Sequence, residues 1–185
     1  MEKIKEGMIA PEFTFTTPWL ENQRLTDYLK GKKKTVLIFM RFYGCRLCQI
    51  DIDRIIENYE YIEKHNSQVL IVLQTEPHII REQREEIDTP ITLICDPDHQ
   101  LYKLYNVGIH NLKDRPDAVT EKLNMAIKLG YKKVENNQKE IAKQLPATFI
   151  INNEARITFS YYGIHTGDTL DIKEILKELN CDKNQ

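Results

Sequence analysis

The sequence lacks the features that would send a chain into a membrane, a secretory route or a disulfide cage. No apolar run approaches the ~18 residues a helical span requires, so no membrane partner is expected. Met1-Glu2-Lys3-Ile4-Lys5-Glu6 has no apolar stretch behind it. No signal peptide is therefore expected, and the expected location is cytoplasmic. Four cysteines in 185 residues are too few and too scattered for a disulfide framework. A chain of this length buries roughly two-thirds of its unfolded surface and needs no staple to fold. A net charge of −2 gives no reason to expect a nucleic-acid partner. Repeats, low-complexity tracts and linkers are also missing, which leaves residues 1–185 as one expected domain.

What is present is an alternation of strands and helices. Glu12 to Thr16 alternates as a short strand ahead of a turn at Pro18. Lys30-Gly31-Lys32-Lys33-Lys34 reads as a solvated loop. The run after it, Thr35 to Met40, is continuously apolar and β-branched, as in a strand buried on both faces. A helix from about Cys45 has Ile52, Ile55, Ile56 and Tyr59 on one face, with Asp51, Asp53, Arg54 and Glu57 at polar positions. Val69 to Leu73 and Ile91 to Cys95 are further strands, separated by a charged helix from Pro77 to Glu86. Asp96-Pro97 is read as opening a helix with Leu101 and Leu104 facing inward. Thr148–Ile151 and Arg156–Tyr161, joined by Asn152-Asn153-Glu154-Ala155, read as an antiparallel hairpin, and Thr169 to Leu179 as a closing helix. The fold class expected is α/β, a central mixed sheet flanked by helices. Residues 109–144 interrupt this pattern. Within them Ala118 to Leu129 is helical, with Val119, Leu123, Ala126 and Ile127 in register and Gly130 as a stop. A partly helical insertion is expected there.

The chemistry is concentrated at Arg41-Phe42-Tyr43-Gly44-Cys45-Arg46-Leu47-Cys48, between a buried strand and a helix start. Free N–H groups and the positive end of the helix dipole favour a thiolate there. Such sites lower a cysteine pKa from about 8.5 to roughly 3.5–7.5. Gly44 before the pair and Arg46 within it argue against two inert core cysteines, and Arg41 and Arg46 are candidate sources of positive charge. Cysteines three apart on a turn lie side by side, so Cys45 would attack a disulfide or peroxide and Cys48 would resolve the product. A zinc site needs a second ligand pair, and none stands at a suitable spacing, so neither a metal nor another cofactor is expected. Cys95 reads as core and Cys181 as an exposed thiol.

Several blocks resemble a known family. Gly7-Met8-Ile9-Ala10-Pro11-Glu12-Phe13-Thr14-Phe15, Asp27 to Lys32, and Asp96-Pro97-Asp98 ahead of Tyr105-Asn106-Val107-Gly108 look like those of peroxiredoxins, the alkyl hydroperoxide reductase/thiol-specific antioxidant group. Leu145-Pro146-Ala147-Thr148-Phe149 resembles the cis-proline segment of thioredoxin-like proteins. The resemblance implies a thioredoxin-like fold and an antioxidant or redox-homeostasis role. It also implies a cis Pro146 against the cysteine pair, with the Leu145 backbone free to pair with a substrate strand.

The departures are specific. Where typical peroxiredoxins have Thr three and Pro seven residues before the reactive cysteine, this chain has Phe42 and Ile38. The family's later arginine is replaced by the Leu145-Pro146 segment, and Phe39 stands where thioredoxins keep a buried Asp. These losses favour a thiol–disulfide oxidoreductase over a peroxidase, unless Arg41, Arg46, Arg115 or Arg156 folds into the site as a substitute. Three readings stay open: disulfide exchange at Cys45–Cys48; an atypical thiol peroxidase with Cys45 peroxidatic and Cys48 resolving; and a non-catalytic module that docks through 109–144. The expected partners are a disulfide or peroxide substrate and a separate reductant.

Overall fold

A computed structural model describes residues 2–83, 90–111, 116–134 and 141–180. Its main sheet has five strands in the order β5-β4-β3-β6-β7. These are Lys34–Phe39 (β3), Ser67–Leu73 (β4), Thr92–Cys95 (β5), Ala147–Asn152 (β6) and Ile157–Tyr162 (β7). Thr14–Phe15 (β1) and Gln23–Arg24 (β2) form a separate antiparallel ribbon. Strand β3 pairs parallel with β4 and antiparallel with β6, which makes the sheet mixed. It occupies the centre because every one of its residues is buried.

The side chains of β3 divide by the two-residue period of a strand. Val36 and Ile38 face a core completed by Ile52, Ile55, Ile62 and Ile175. Those partners come from helices Arg46–Glu57 (α2), Tyr59–Lys64 (α3) and Ile172–Asn180 (α7). Leu37 and Phe39 face the opposite side, where Phe13, Phe15, Tyr102, Tyr105 and Phe149 pack. The rings of Phe39, Tyr105 and Phe149 meet at centroid distances of 5.1 to 5.9 Å, in tilted or edge-on geometry. The sheet therefore has a covered face on each side, and the C-terminal end of β3 delivers the chain to the cysteine pair.

Several local expectations needed correction. Lys34 is buried rather than solvated: it begins β3, and its Nζ donates to the carbonyls of Glu178 (2.7 Å) and Leu179 (3.2 Å). A cation there satisfies carbonyls that the end of α7 leaves unpaired. The helix after Asp96-Pro97 starts later, at Gln100–Leu104 (α5), because the Asp96 carboxylate accepts N–H groups from Gln100 (2.9 Å) and Leu101 (2.7 Å). That places Leu104 outward. Three elements had no expectation from the sequence: the β1–β2 ribbon's second strand, Tyr59–Lys64 (α3), and Leu25–Leu29 (α1), whose Leu25 and Leu29 are buried. Pro77–Arg81 (α4) forms the first part of the expected charged helix, with residues 82 and 83 in a turn; residues 84–86 of that helix, like Cys181, lie outside the described residues.

The expected insertion helix is present as Asp117–Lys128 (α6) and packs on α2. Val119 and Ala126 are buried and Leu123 packs partly against the core, whereas Ile127 is exposed, at the edge of the stripe. Gly130 adopts φ +86°, and Tyr131 N–H donates to Ala126 O (3.0 Å), the left-handed stop that Gly allows. The half-buried Lys122 Nζ meets Asp51 Oδ2 at 2.7 Å and also donates to Gly167 O at 3.1 Å. Asp51, read from the sequence as a polar surface position, is thus a buried anchor joining α6 to the cysteine-bearing helix.

Candidate active site

After β3 the chain turns sharply, with Cys45 N–H donating to Phe42 O (3.1 Å) and Tyr43 N–H to Thr75 Oγ1 (2.9 Å). Cys45 is the N-cap of α2, in extended conformation, and its Sγ accepts from Cys48 N–H at 3.4 Å. A sulfur in the usual N-cap acceptor position faces the helix's unpaired N–H groups. Arg41 Nη2 lies 2.7 Å from the same sulfur, and Nη1 donates to Ala142 O at 2.9 Å. The guanidinium also lies against the Phe42 ring, 5.7 Å from its centroid.

These contacts decide the ionisation. Burial alone would push the Cys45 thiol up. The Cys48 S–H bond, the Arg41 charge and the N–H groups of Cys48 and Leu47 outweigh it and lower the pKa to about 6. Cys48 moves the other way, well above the ordinary thiol value, because its proton is held by Cys45 in a buried site beside a negative sulfur. The arrangement favours a thiolate at Cys45 and a protonated thiol at Cys48. Cys95 is buried away from this pair, and burial beside Glu76 pushes it up to about 12.

Cys45 opens onto a cavity of about 500 Å³. Phe42, Leu47, Val119 and Leu123 form its apolar wall; Arg41, Arg46, Lys133 and Lys143 supply positive charge, and His110 also lines it. The insertion builds much of this enclosure. Arg46 Nε donates to Tyr131 O (3.0 Å), Gln49 Nε2 to Lys132 O (3.0 Å), and Val134 N–H to Gly44 O (3.1 Å). Tyr131 OH closes a further contact to Asp53 Oδ2 at 2.7 Å.

The structure separates the expected site residues into two groups. Cys45, Cys48, Gly44, Arg41 and Arg46 come together, although Arg46 points to the insertion backbone rather than to sulfur. Leu145 and Pro146 do not line the cavity. The Leu145 N–H donates to Gly108 O (3.1 Å), and its carbonyl accepts from Gln144 Nε2 (3.3 Å), so neither group is free for a substrate strand. No peptide bond among the described residues is cis, so Pro146 is trans, contrary to expectation. Its ring instead packs on Gly163, where an added Cβ would sit 2.7 Å from Pro146 Cγ. Of the substitute arginines, Arg156 donates to Gly7 O at a distant loop, Arg115 lies outside the described residues, and Arg41 occupies the site. Sequence reasoning missed His110, Lys143 and the buried Gln144, whose amide clamps Gly108 and Leu145. Their only sequence signal was position in the insertion.

Residues 7–160 match the model of the AhpC/TSA family. The chain belongs to that family. No curated protein matches it. Among solved structures, BcpB of Mycobacterium tuberculosis is similar at a TM-score of 0.70 and 12% identity, covering 98% of this chain and 99% of that one. Peroxiredoxin 6 of Arenicola marina is similar at 0.70 and 16% identity, covering 95% and 72%. A yeast mitochondrial 1-Cys peroxiredoxin is similar at 0.65 and 15%, covering 94% and 73%. At these identities the structures speak for the fold, which is the thioredoxin-like α/β arrangement of peroxiredoxins. With the family match, this AhpC/TSA protein is a peroxiredoxin-like oxidoreductase working in thiol-based redox chemistry. No helix among its described residues is long and apolar enough to cross a membrane.

Proposed function

We propose that this AhpC/TSA protein is a thiol peroxidase in which Cys45 attacks a hydroperoxide and Cys48 resolves the product. The observation that carries the reading is Arg41 Nη2 at 2.7 Å from Cys45 Sγ. Peroxide cleavage needs a thiolate and a fixed cationic donor beside the reacting oxygens. Phe42 cannot donate, and Arg41, four residues before the sulfur, supplies a charged donor in direct contact with it. The alternative of strand-paired disulfide exchange with a protein loses support, because the Leu145 backbone is already bonded.

In the proposed cycle the Cys45 thiolate takes the terminal hydroperoxide oxygen, the O–O bond breaks, and sulfur becomes a sulfenic acid. Cys48, hydrogen-bonded to Cys45 in the reduced state, then attacks that sulfur, expelling water and forming a Cys45–Cys48 disulfide. An external dithiol restores both thiols by exchange. The half-open, partly apolar cavity of about 500 Å³ has room for a small organic peroxide. The test is mass spectrometry of the reduced protein after one equivalent of cumene hydroperoxide. A Cys45–Cys48 disulfide in the wild type and a trapped Cys45 sulfenic acid in Cys48→Ser support the cycle. Unmodified Cys45 in both overturns it.

A further inference from the structure

Gln74 is the first residue after β4, has no exposed surface and takes no part in the cycle above. An amide sealed from water must make its hydrogen bonds inside the protein. Gln74 directs them at one place. Its Oε1 accepts from Ile141 N–H at 2.6 Å, and its Nε2 reaches Ile141 O at 3.5 Å, so the side chain pairs with both backbone groups of that residue. His99 Nε2 braces the same Oε1 at 3.0 Å. The next residue, Ala142, carries the carbonyl that accepts from Arg41 Nη1 at 2.9 Å. Gln74 also holds the other end of Arg41, since its own N–H donates to Arg41 O at 2.9 Å. It thus ties the Arg41 main chain to the turn that the guanidinium reaches.

The guanidinium depends on that turn. Its Nε is buried with no hydrogen-bond partner among the described residues, and besides the two cysteine sulfurs Ala142 O is its one acceptor among them. The far end of the turn is held separately, by His110 N–H on Lys143 O (2.7 Å) and by the Gln144 amide on Gly108 O (2.8 Å), and neither bond reaches Arg41.

We propose that Gln74 is the positioning residue that aims the Arg41 guanidinium at Cys45 Sγ, by fixing the Ala142 carbonyl through Ile141. The inference goes beyond the peroxidase reading, because it concerns how the thiolate is held whatever oxidant meets it. Without the Ile141 anchor the carbonyl can shift and the guanidinium can turn from the sulfur. A charge-assisted bond weakens steeply with such a loss of alignment. The other groups facing Cys45 are Cys48, the N–H groups of Leu47 and Cys48, and the cavity residues Arg46, His110, Lys133 and Lys143. Among the described residues Gln74 bonds to none of these, so its removal should act through Arg41.

The test is the rate at which iodoacetamide alkylates Cys45 in the reduced full chain, assigned by peptide mass spectrometry. Gln74→Met keeps the length and volume of the side chain but has no amide to pair with Ile141. At pH 7 it should slow alkylation about tenfold, short of the hundredfold expected for removing the charge itself, and the rate should recover near pH 10. Introduced into Arg41→Met, the same change should alter the rate by less than about twofold, because the guanidinium it acts through is gone. Gln74→Ala is the second variant should the methionine protein fold poorly, and it should give the same two results. In the wild type, the Ile141 amide should exchange its hydrogen well below the free-peptide rate. A pH 7 rate within about twofold of wild type in the folded variants would overturn the proposal. So would a loss that persists near pH 10, or one of equal size in the Arg41→Met background, since either marks general damage to the site. An Ile141 amide exchanging as fast as a free peptide would remove the anchor itself. No peroxide enters these measurements, so the peroxidase reading stands or fails separately, on whether a hydroperoxide oxidises Cys45.

Discussion

Replacing Arg41 with methionine removes the charge beside Cys45 while retaining a long side chain against Phe42. The guanidinium nitrogen is 2.7 Å from sulfur; Cys45 is buried and Arg41 is half-buried. With charge centres about 4 Å apart and an effective dielectric of about 20, the attraction is about 4 kcal/mol. That equals roughly three pKa units. The Cys45 pKa of about 6 would rise toward the ordinary thiol range, because only the Cys48 hydrogen bond and the helix N–H groups would be left to oppose burial. At pH 7 the thiolate fraction would fall from roughly nine-tenths to about one per cent. Iodoacetamide labelling of Cys45 in Arg41→Met should therefore slow about a hundredfold at pH 7 and recover near pH 10. Oxidation by hydroperoxide should not fully recover at high pH, since the donor to oxygen is also lost, a further cost of about a hundredfold. Arg41→Lys should restore most of the ionisation and less of the oxidation rate, lacking the forked donor. An unchanged labelling profile in Arg41→Met would refute the electrostatic account.

Further predictions concern the same site and its supports. Because the folded pKa of Cys45, about 6, lies below the ordinary 9, the unfolded chain binds the extra proton between those values. Stability should thus rise with pH from about 6 to 9 and be lost as pH falls through 6, a slope that denaturant titration should find missing in Cys45→Ser. Iodoacetamide should label Cys45 well before Cys48, and equal labelling would contradict the opposed shifts of the two thiols. Asp51→Ala leaves the half-buried Lys122 with only the Gly167 carbonyl and should cost about 1–3 kcal/mol by urea unfolding; the double change Asp51→Leu, Lys122→Met should recover most of it. A loss no larger than that of a surface alanine would show the pair to be solvated. Gly163→Ala forces a Cβ to 2.6 Å from the Asp168 carbonyl oxygen and 2.7 Å from Pro146 Cγ and should cost about 1–3 kcal/mol; a neutral effect would show that both the carbonyl and the ring yield.

The sheet was legible because its strands are apolar runs bounded by turns, and β3 in particular carries no polar side chain after Thr35. The cysteine pair was legible from its place at a strand-to-helix junction. Arg41 was visible as nearby charge, but its contact with sulfur depends on the Ala142 carbonyl, a hundred positions away in the chain, which orients the guanidinium. The role given to Leu145-Pro146 failed for the same kind of reason. Gln144 and Gly108 satisfy the Leu145 backbone, and no local pattern announces a glutamine clamp across an insertion. His110 was one of five histidines with no spacing to single it out, until tertiary contacts buried its Nε2 beside the cavity. Lys34 and Asp51 misled in parallel ways, since charge on a strand end or helix face normally means solvent, and here each is buried against a bonded partner.

The central claim is that Arg41 and Cys45 form a peroxide-cleaving centre, and one side-by-side stopped-flow comparison tests it. Reduced protein is mixed at pH 7 with cumene hydroperoxide or with a small model disulfide of the same concentration, and the consumption of the Cys45 thiolate is followed. Oxidation by the hydroperoxide at least a hundredfold faster than exchange with the disulfide is the predicted result. Disulfide exchange that matches or outruns peroxide reduction would contradict it and return the site to thiol–disulfide chemistry.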